Sequence, residues 1–335
     1  MNDIQRRISA ITTCLAFALA VCAPRAFAEP VSTYRGICNA SAGIDLGKGY
    51  FVVADDEMNM LFVYRYESPD YVSMIDLRDV LRDGDGKKEA DLEGAARIGD
   101  RIYWIGSHSR NSEGELRPAR HRLFATRIDA TSATPTVKPL DAKPYDGLLK
   151  ALASDKRFAT LTDASTRGAE QPGGLNIEGL ADTEDGGLLI GFRNPLSAKK
   201  QEAFVVKLKN PAAVVEQNAA PVFGDLVRLD LGRRGIRSIE RIGAEYFIVA
   251  GPFDDGEPGA ATSKFAIYKW SGVPGAAPVL WKNISPPDFH AEGLFEIGSA
   301  KQLYLLSDDG GGRSNCTRKK KPTDDKTFRG MRIDF

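Results

Sequence analysis

The chain has 335 residues, of which 42% are hydrophobic and 27% charged, with 45 basic and 45 acidic side chains. This composition supports a large buried core and excludes a disordered or membrane-embedded chain. The lack of a basic excess argues against nucleic acid or a polybasic membrane surface as a partner.

Arg6 and Arg7 precede an apolar run over residues 8–23, and Ala26-Phe27-Ala28 stands just before Glu29-Pro30. Charge, apolar run and small-x-small site together read as an export signal over residues 1–28, leaving 29–335 as a single periplasmic or secreted domain. A lipid anchor at Cys22 is the weaker reading, because Val21 is large for the residue before such a cysteine. Without residues 1–28 the counts become 42 basic and 44 acidic. No later apolar stretch is long enough to span a bilayer.

From residue 41 onward one phrase recurs: a polar rim residue, a small residue, an apolar stretch, a Gly-containing turn and a second apolar stretch. It begins at Ser41, Glu93, Glu178, Arg237 and Glu292. Alternating β-branched and aromatic residues predict further strands at 60–64, 71–75, 123–128, 203–208, 226–229, 265–270, 279–281 and 328–333. A hairpin cannot bury its own apolar face, so repeats of this kind lean on one another, and the fold class is an all-β β-propeller. Five blades is the preferred count. Six is the alternative, because 85 positions separate the second and third starts against 52 to 59 elsewhere. The excess near 145–158 reads as a helical insertion, with Leu148, Leu149 and Leu152 on one face, forming a lid over the ring. The fifth repeat is one strand short, and residues 31–37 are expected to supply that strand and close the ring. Beyond the signal only Cys38 and Cys316 remain. A disulfide stapling the seam is expected in an oxidising compartment, with two separate buried thiols as the alternative.

In a propeller the starts of innermost strands and the ends of second strands converge on one mouth of the central channel. The second strands end at Asp55-Asp56, His108 with Arg110, Arg193-Asn194, Asp254-Asp255 and Asp308-Asp309. Glu93, Glu178, Glu292 and Asp308 are therefore candidate ligands for Ca²⁺ or another divalent cation. Arg110 and Arg193 are candidate partners for an anionic substrate, and His108 for moving a proton. The competing reading gives each Glu a packing role, accepting backbone amides of the neighbouring blade. Asp83-Gly84-Asp85-Gly86 lacks the remaining EF-hand ligands and reads as an acidic turn. His108, His121 and His290 lack any zinc spacing, and the basic run 318–321 reads as solvated charge.

The phrases Ala90-Asp91-Leu92-Glu93-Gly94-Ala95-Ala96, Ile102-Tyr103-Trp104-Ile105-Gly106-Ser107-His108-Ser109-Arg110, Leu175-Asn176-Ile177-Glu178-Gly179-Leu180 and Gly191-Phe192-Arg193-Asn194-Pro195 resemble a bacterial exported family known as domain of unknown function 3616. The resemblance covers nearly the whole chain after the signal and brings no established activity. More distantly, the Glu-Gly strand starts resemble phytase-like esterase propellers, and Glu292-Gly293 with Ser307-Asp308 resembles the metal-binding rim of gluconolactonase-type propellers. Both resemblances imply a divalent metal at the channel mouth, although neither family's full active-site pattern can be placed here. The expected function is metal-assisted hydrolysis of phosphoesters or lactones. The alternative is a non-catalytic propeller that holds a small anionic ligand or a protein partner.

Overall fold

The computed structural model describes residues 30–82, 88–253, 265–285, 288–298, 301–311, 314–317 and 321–335. The expected signal, the Asp83-Gly84-Asp85-Gly86 turn, Asp254-Asp255 and residues 318–320 of the basic run lie outside them. Strand β1 (Val31–Gly36) pairs with none of its sequence neighbours. The first blade holds β2 (Ala40–Gly47), β3 (Tyr50–Asp55), β4 (Met60–Arg65) and β5 (Tyr71–Asp76). The second holds β6 (Leu92–Ile98), β7 (Arg101–Gly106), β8 (Leu123–Asp129) and β9 (Thr136–Pro139), and the third β10 (Asn176–Asp182), β11 (Leu188–Asn194), β12 (Ala203–Leu208) and β13 (Phe223–Leu229). The fourth is β14 (Gly235–Ile242), β15 (Glu245–Gly251), β16 (Ala266–Trp270) and β17 (Val279–Asn283). The fifth is β18 (Ala291–Glu296), β19 (Gln302–Ser307), β20 (Thr323–Asp334) and, outermost, β1. The molecule is a five-bladed β-propeller.

The second strand of each blade explains why the sequence reads as unbroken apolar runs. On β7, Ile102 and Trp104 enter the core shared with the first blade, while Tyr103 and Ile105 enter the core shared with the third. On β19, Leu303 and Leu305 face the fourth blade, and Tyr304 and Leu306 the first. Alternation survives, but both faces are buried, so neither parity needs a polar residue. Each pair of adjacent blades shares one apolar cluster, and five clusters close the circle.

Closure follows the expected route. Strand β1 runs antiparallel to β20, with Val31 opposite Met331 and Arg35 opposite Thr327. Cys38 and Cys316 are disulfide-bonded, with Cα atoms 5.9 Å apart.

The insertion between the second and third blades departs from the expectation of a lid. It forms α1 (Leu148–Ala153) and α2 (Ala159–Ala164), and Leu148, Leu152, Phe158, Leu161 and Ala164 are buried in the same cluster as Ile105, Leu123, Ile190, Phe204 and Phe223. Phe158 meets Phe223 edge to face, 5.4 Å between centroids. The helices are a wedge between blades, because their apolar face finds more surface there than over a polar channel mouth. Among the described residues, no helix is long and apolar enough to cross a membrane.

Candidate functional site

At the start of every innermost strand the ladder to the second strand slips by one residue. The slips fall between Ala40 and Ala42, Leu92 and Gly94, Ile177 and Gly179, Ile236 and Ser238, and Ala291 and Leu294. The gaps hold Ser41, Glu93, Glu178, Arg237 and Glu292, the five expected rim positions. A bulge leaves its extra residue out of the ladder and re-aims its side chain, so five bulges at one level gather five side chains around the channel mouth. The small residue that follows is required by packing. A Cβ on Gly94 would stand 2.9 Å from the Leu180 Cβ, and one on Gly179 would press 2.8 Å from Ile236, on the next innermost strand.

On the side of the third to fifth blades the rim is neutralised internally. Glu178 Oε1 accepts from Arg193 Nη1 at 3.0 Å and Asn176 Nδ2 at 2.9 Å. Arg237 Nε lies 3.0 Å from Glu178 Oε2 and donates to Glu292 Oε2 at 3.1 Å, while Arg237 Nη2 pairs with Glu292 Oε1. Glu178, Glu292, Arg193 and Arg237 are each no more than 6% exposed. Arg193 Nε also donates to the Pro252 carbonyl, at 3.3 Å.

On the side of the first two blades three acids crowd together, and Arg120 is ion-paired with one of them, Asp91, at 2.9 Å. Oxygens of Asp56, Asp91 and Glu93 all lie within 4.8 Å of one another. Burial, and then the charges of Asp91 and Glu178, hold Glu93 well above the usual carboxylate range. Burial, then Asp308, Asp55 and Asp91, does the same to Asp56. Asp56 Oδ1 is shut off from solvent and accepts no hydrogen bond among the described residues. Burial pushes the neighbouring Asp55 up to about 7, against the opposing charge of Lys326. Burial also raises Asp91, and Arg120 opposes the shift.

The sequence-derived residues thus divide into groups. Glu178, Glu292 and Arg193 are joined through Arg237. Glu93 gathers with Asp56 and Asp91, and Asp308 is near enough for its charge to act on Asp56. Asp308 Oδ1 accepts from Gly310 N at 2.8 Å, and its backbone bridges to Asn39. His108 is 1% exposed and stacks on His121 at 5.5 Å. Its Nδ1 is 2.8 Å from the Gly106 carbonyl, and burial pushes it down to about 3, so the ring is neutral at pH 7. Arg110 donates to the carbonyls of Ser165 at 2.9 Å and Gly114 at 3.0 Å, tying the second blade to the helical insertion. From the sequence, Asp56 is only the end of a second strand, and Asp91 is outside the ligand set altogether. It precedes its strand at a positive φ of 52°, a conformation that no spacing rule reveals.

Residues 120–283 match the model of a family described as Protein of unknown function (DUF3616). The match spans just under half of the chain and supports the resemblance over this central stretch. It carries the Leu175 to Leu180 and Gly191 to Pro195 phrases on which the resemblance partly rests. No curated protein matches the sequence. Similar solved structures include a glutaminyl cyclase from Myxococcus xanthus, 11% identical, covering 90% of this chain and 95% of that one at a TM-score of 0.42. A PQQ-bound aldose sugar dehydrogenase from Streptomyces coelicolor is 11% identical, with 91% and 100% covered and a TM-score of 0.42. A gluconolactonase from Xanthomonas campestris is 11% identical, with 90% and 88% covered and a TM-score of 0.37.

Proposed function

We propose that this is an exported propeller whose channel mouth binds Ca²⁺ or a similarly hard divalent cation through Asp56, Asp91 and Glu93, and that it hydrolyses a small ester there, a lactone in preference to a phosphoester. The observation that carries this reading is the convergence of the three carboxylates within 4.8 Å. Like charges so close must be neutralised by shared protons or by a cation, and an all-oxygen donor set suits a hard cation. The partnerless Asp56 Oδ1 fits the same account. A cation held there polarises an ester carbonyl and acidifies bound water.

The other residues shape what reaches it. Arg193 and Arg237 already pair with Glu178 and Glu292, so a phosphate dianion gains less from these guanidiniums than a neutral lactone avoids losing. His108 is neutral with its Nδ1–H directed to Gly106, and the burial that disfavours its charged form makes it a poor proton acceptor, so it does not serve as the base of this reaction. The disulfide supports an oxidising compartment.

The pH dependence has a defined sign. The folded chain binds protons at Asp55, Asp56 and Glu93 more tightly than the unfolded chain does, whose carboxyls titrate near pH ~4. The stability these protons supply is intact below that value and is lost as pH rises through the raised folded values. A cation that replaces the protons is expected to raise the melting temperature of chelator-stripped protein more at pH 8 than at pH 5. Calorimetry with Ca²⁺, Mg²⁺ and Mn²⁺ should show binding that Glu93→Gln removes, and a lactone panel should show turnover that chelator abolishes. Failure of every cation to bind at pH 8 sinks the proposal. Cation binding with no ester turned over would leave a non-catalytic binding propeller instead.

A further inference from the structure

We propose that Arg120 is the positioning residue of the cation site, a role that rests on the reading above. Its guanidinium reaches three partners from two segments, Glu89 and Asp91 before β6 and Ser109 after β7. Nη1 lies 2.9 Å from Asp91 Oδ2 and donates to Ser109 Oγ at 2.8 Å, while Nη2 donates to Glu89 Oε1 at 3.2 Å. Ser109 is buried, its Oγ is 2.8 Å from the Oγ of buried Ser107, and it directs a long hydrogen bond of 3.5 Å to Asp91 Oδ2. The Ser107 backbone N–H donates to the Asp91 carbonyl at 2.8 Å. Asp91 is therefore fixed at both its backbone and one carboxylate oxygen. That restraint matters because the residue sits at positive φ, where an L side chain other than Asn or Asp pays a larger steric cost, and because its nearest carboxylates repel it.

The position of Arg120 is itself built. It ends the 3₁₀ turn Pro118–Arg120, and its carbonyl accepts from the N–H groups of His108 at 3.2 Å and Arg122 at 3.1 Å. This stitches the turn onto the end of β7. Gly106 permits the approach, since a Cβ there would collide with the carbonyl oxygens of Arg120 and Ala90. Three segments thus meet for one geometric result: the Asp91 carboxyl held beside Glu93 and Asp56. A ligand already held in place loses no rotamer freedom when the ion arrives, and partners that orient metal ligands typically contribute 10–100-fold in affinity.

The test must separate charge from geometry, because a cation near the site also competes with the ion for Asp91. Arg120→Lys keeps the charge and removes the planar fork that spans Asp91, Ser109 and Glu89. Calcium titration by calorimetry at pH 8 is expected to give a Kd roughly 10–100-fold higher than wild type. Ser109→Ala, a near-isosteric change that removes one of the fork's contacts, should raise Kd by a smaller factor and decides the matter should the Lys variant not fold. Kd values equal to wild type in the folded variants overturn the proposal, whatever their melting temperatures do. Wild type that binds none of Ca²⁺, Mg²⁺ and Mn²⁺ overturns the cation reading and this inference together. Wild type that binds, with loss in Glu93→Gln but not in the Arg120 and Ser109 variants, overturns this inference alone.

Discussion

Replacing Cys38 and Cys316 by serine is expected to destabilise the protein by about 5 to 6 kcal/mol, through the freedom returned to the unfolded chain. The bond spans 278 positions, so it constrains nearly all of the propeller. The local setting adds to the effect. The Cys38 carbonyl accepts from Asp309 N at 3.0 Å, and Asn39 bridges to Asp308, so the bond clamps together the two segments that approach Asp56. Urea unfolding of the oxidised protein and the double serine variant should show the difference as a lower midpoint with little change in slope. Identical midpoints would mean that the β1–β20 ladder holds the seam unaided.

Arg237→Met is expected to cost about 3 to 5 kcal/mol, the usual range when one member of a buried ion network is removed. Glu178 and Glu292, 2% and 5% exposed, would then share the interior with one guanidinium fewer. Adding Glu292→Gln to Arg237→Met should recover part of the loss, because it removes one of the carboxylates left in excess. A single variant as stable as wild type would show that water reaches these groups in solution. No recovery in the double variant would place the loss in the stacking of Arg237 on Phe265, 5.8 Å from its ring centre, rather than in charge.

Much of this architecture was legible in the sequence because closure leaves few alternatives. A ring of repeats with one strand missing at its end must take that strand from its beginning, and Cys38 and Cys316 fall on either side of the join. The rim was legible because the bulge that aims Glu93, Glu178 and Glu292 inward is followed by the glycine or small residue that lets innermost strands approach. Pairing across blades was less visible. The sequence showed recurring acids, but nothing in the spacing of Glu178, Arg237 and Glu292 said that one arginine would bridge its neighbours on both sides. The wedge was misread for a related reason. Leu148 and Leu152 mark a face that must be covered, and a sequence does not name the covering surface. Strand β9 escaped notice because four residues, one of them proline, give too short an alternation to detect. Asp91 escaped because its role depends on a backbone angle and on a guanidinium from a distant turn.

The seam has one more consequence. With Val31 facing Met331, strands β1 and β20 lie side by side, and a short peptide could join them. Such a circular chain could be reopened at any exposed loop between blades, and each permutant would contain every ladder of the native order. Its disulfide would behave differently. The bond that encloses nearly the whole natural chain would then enclose only a few tens of residues, and its entropic contribution would shrink by about 2 kcal/mol. A series of permutants would therefore separate what the ring owes to its hydrogen-bonded geometry from what it owes to the order in which its blades are strung.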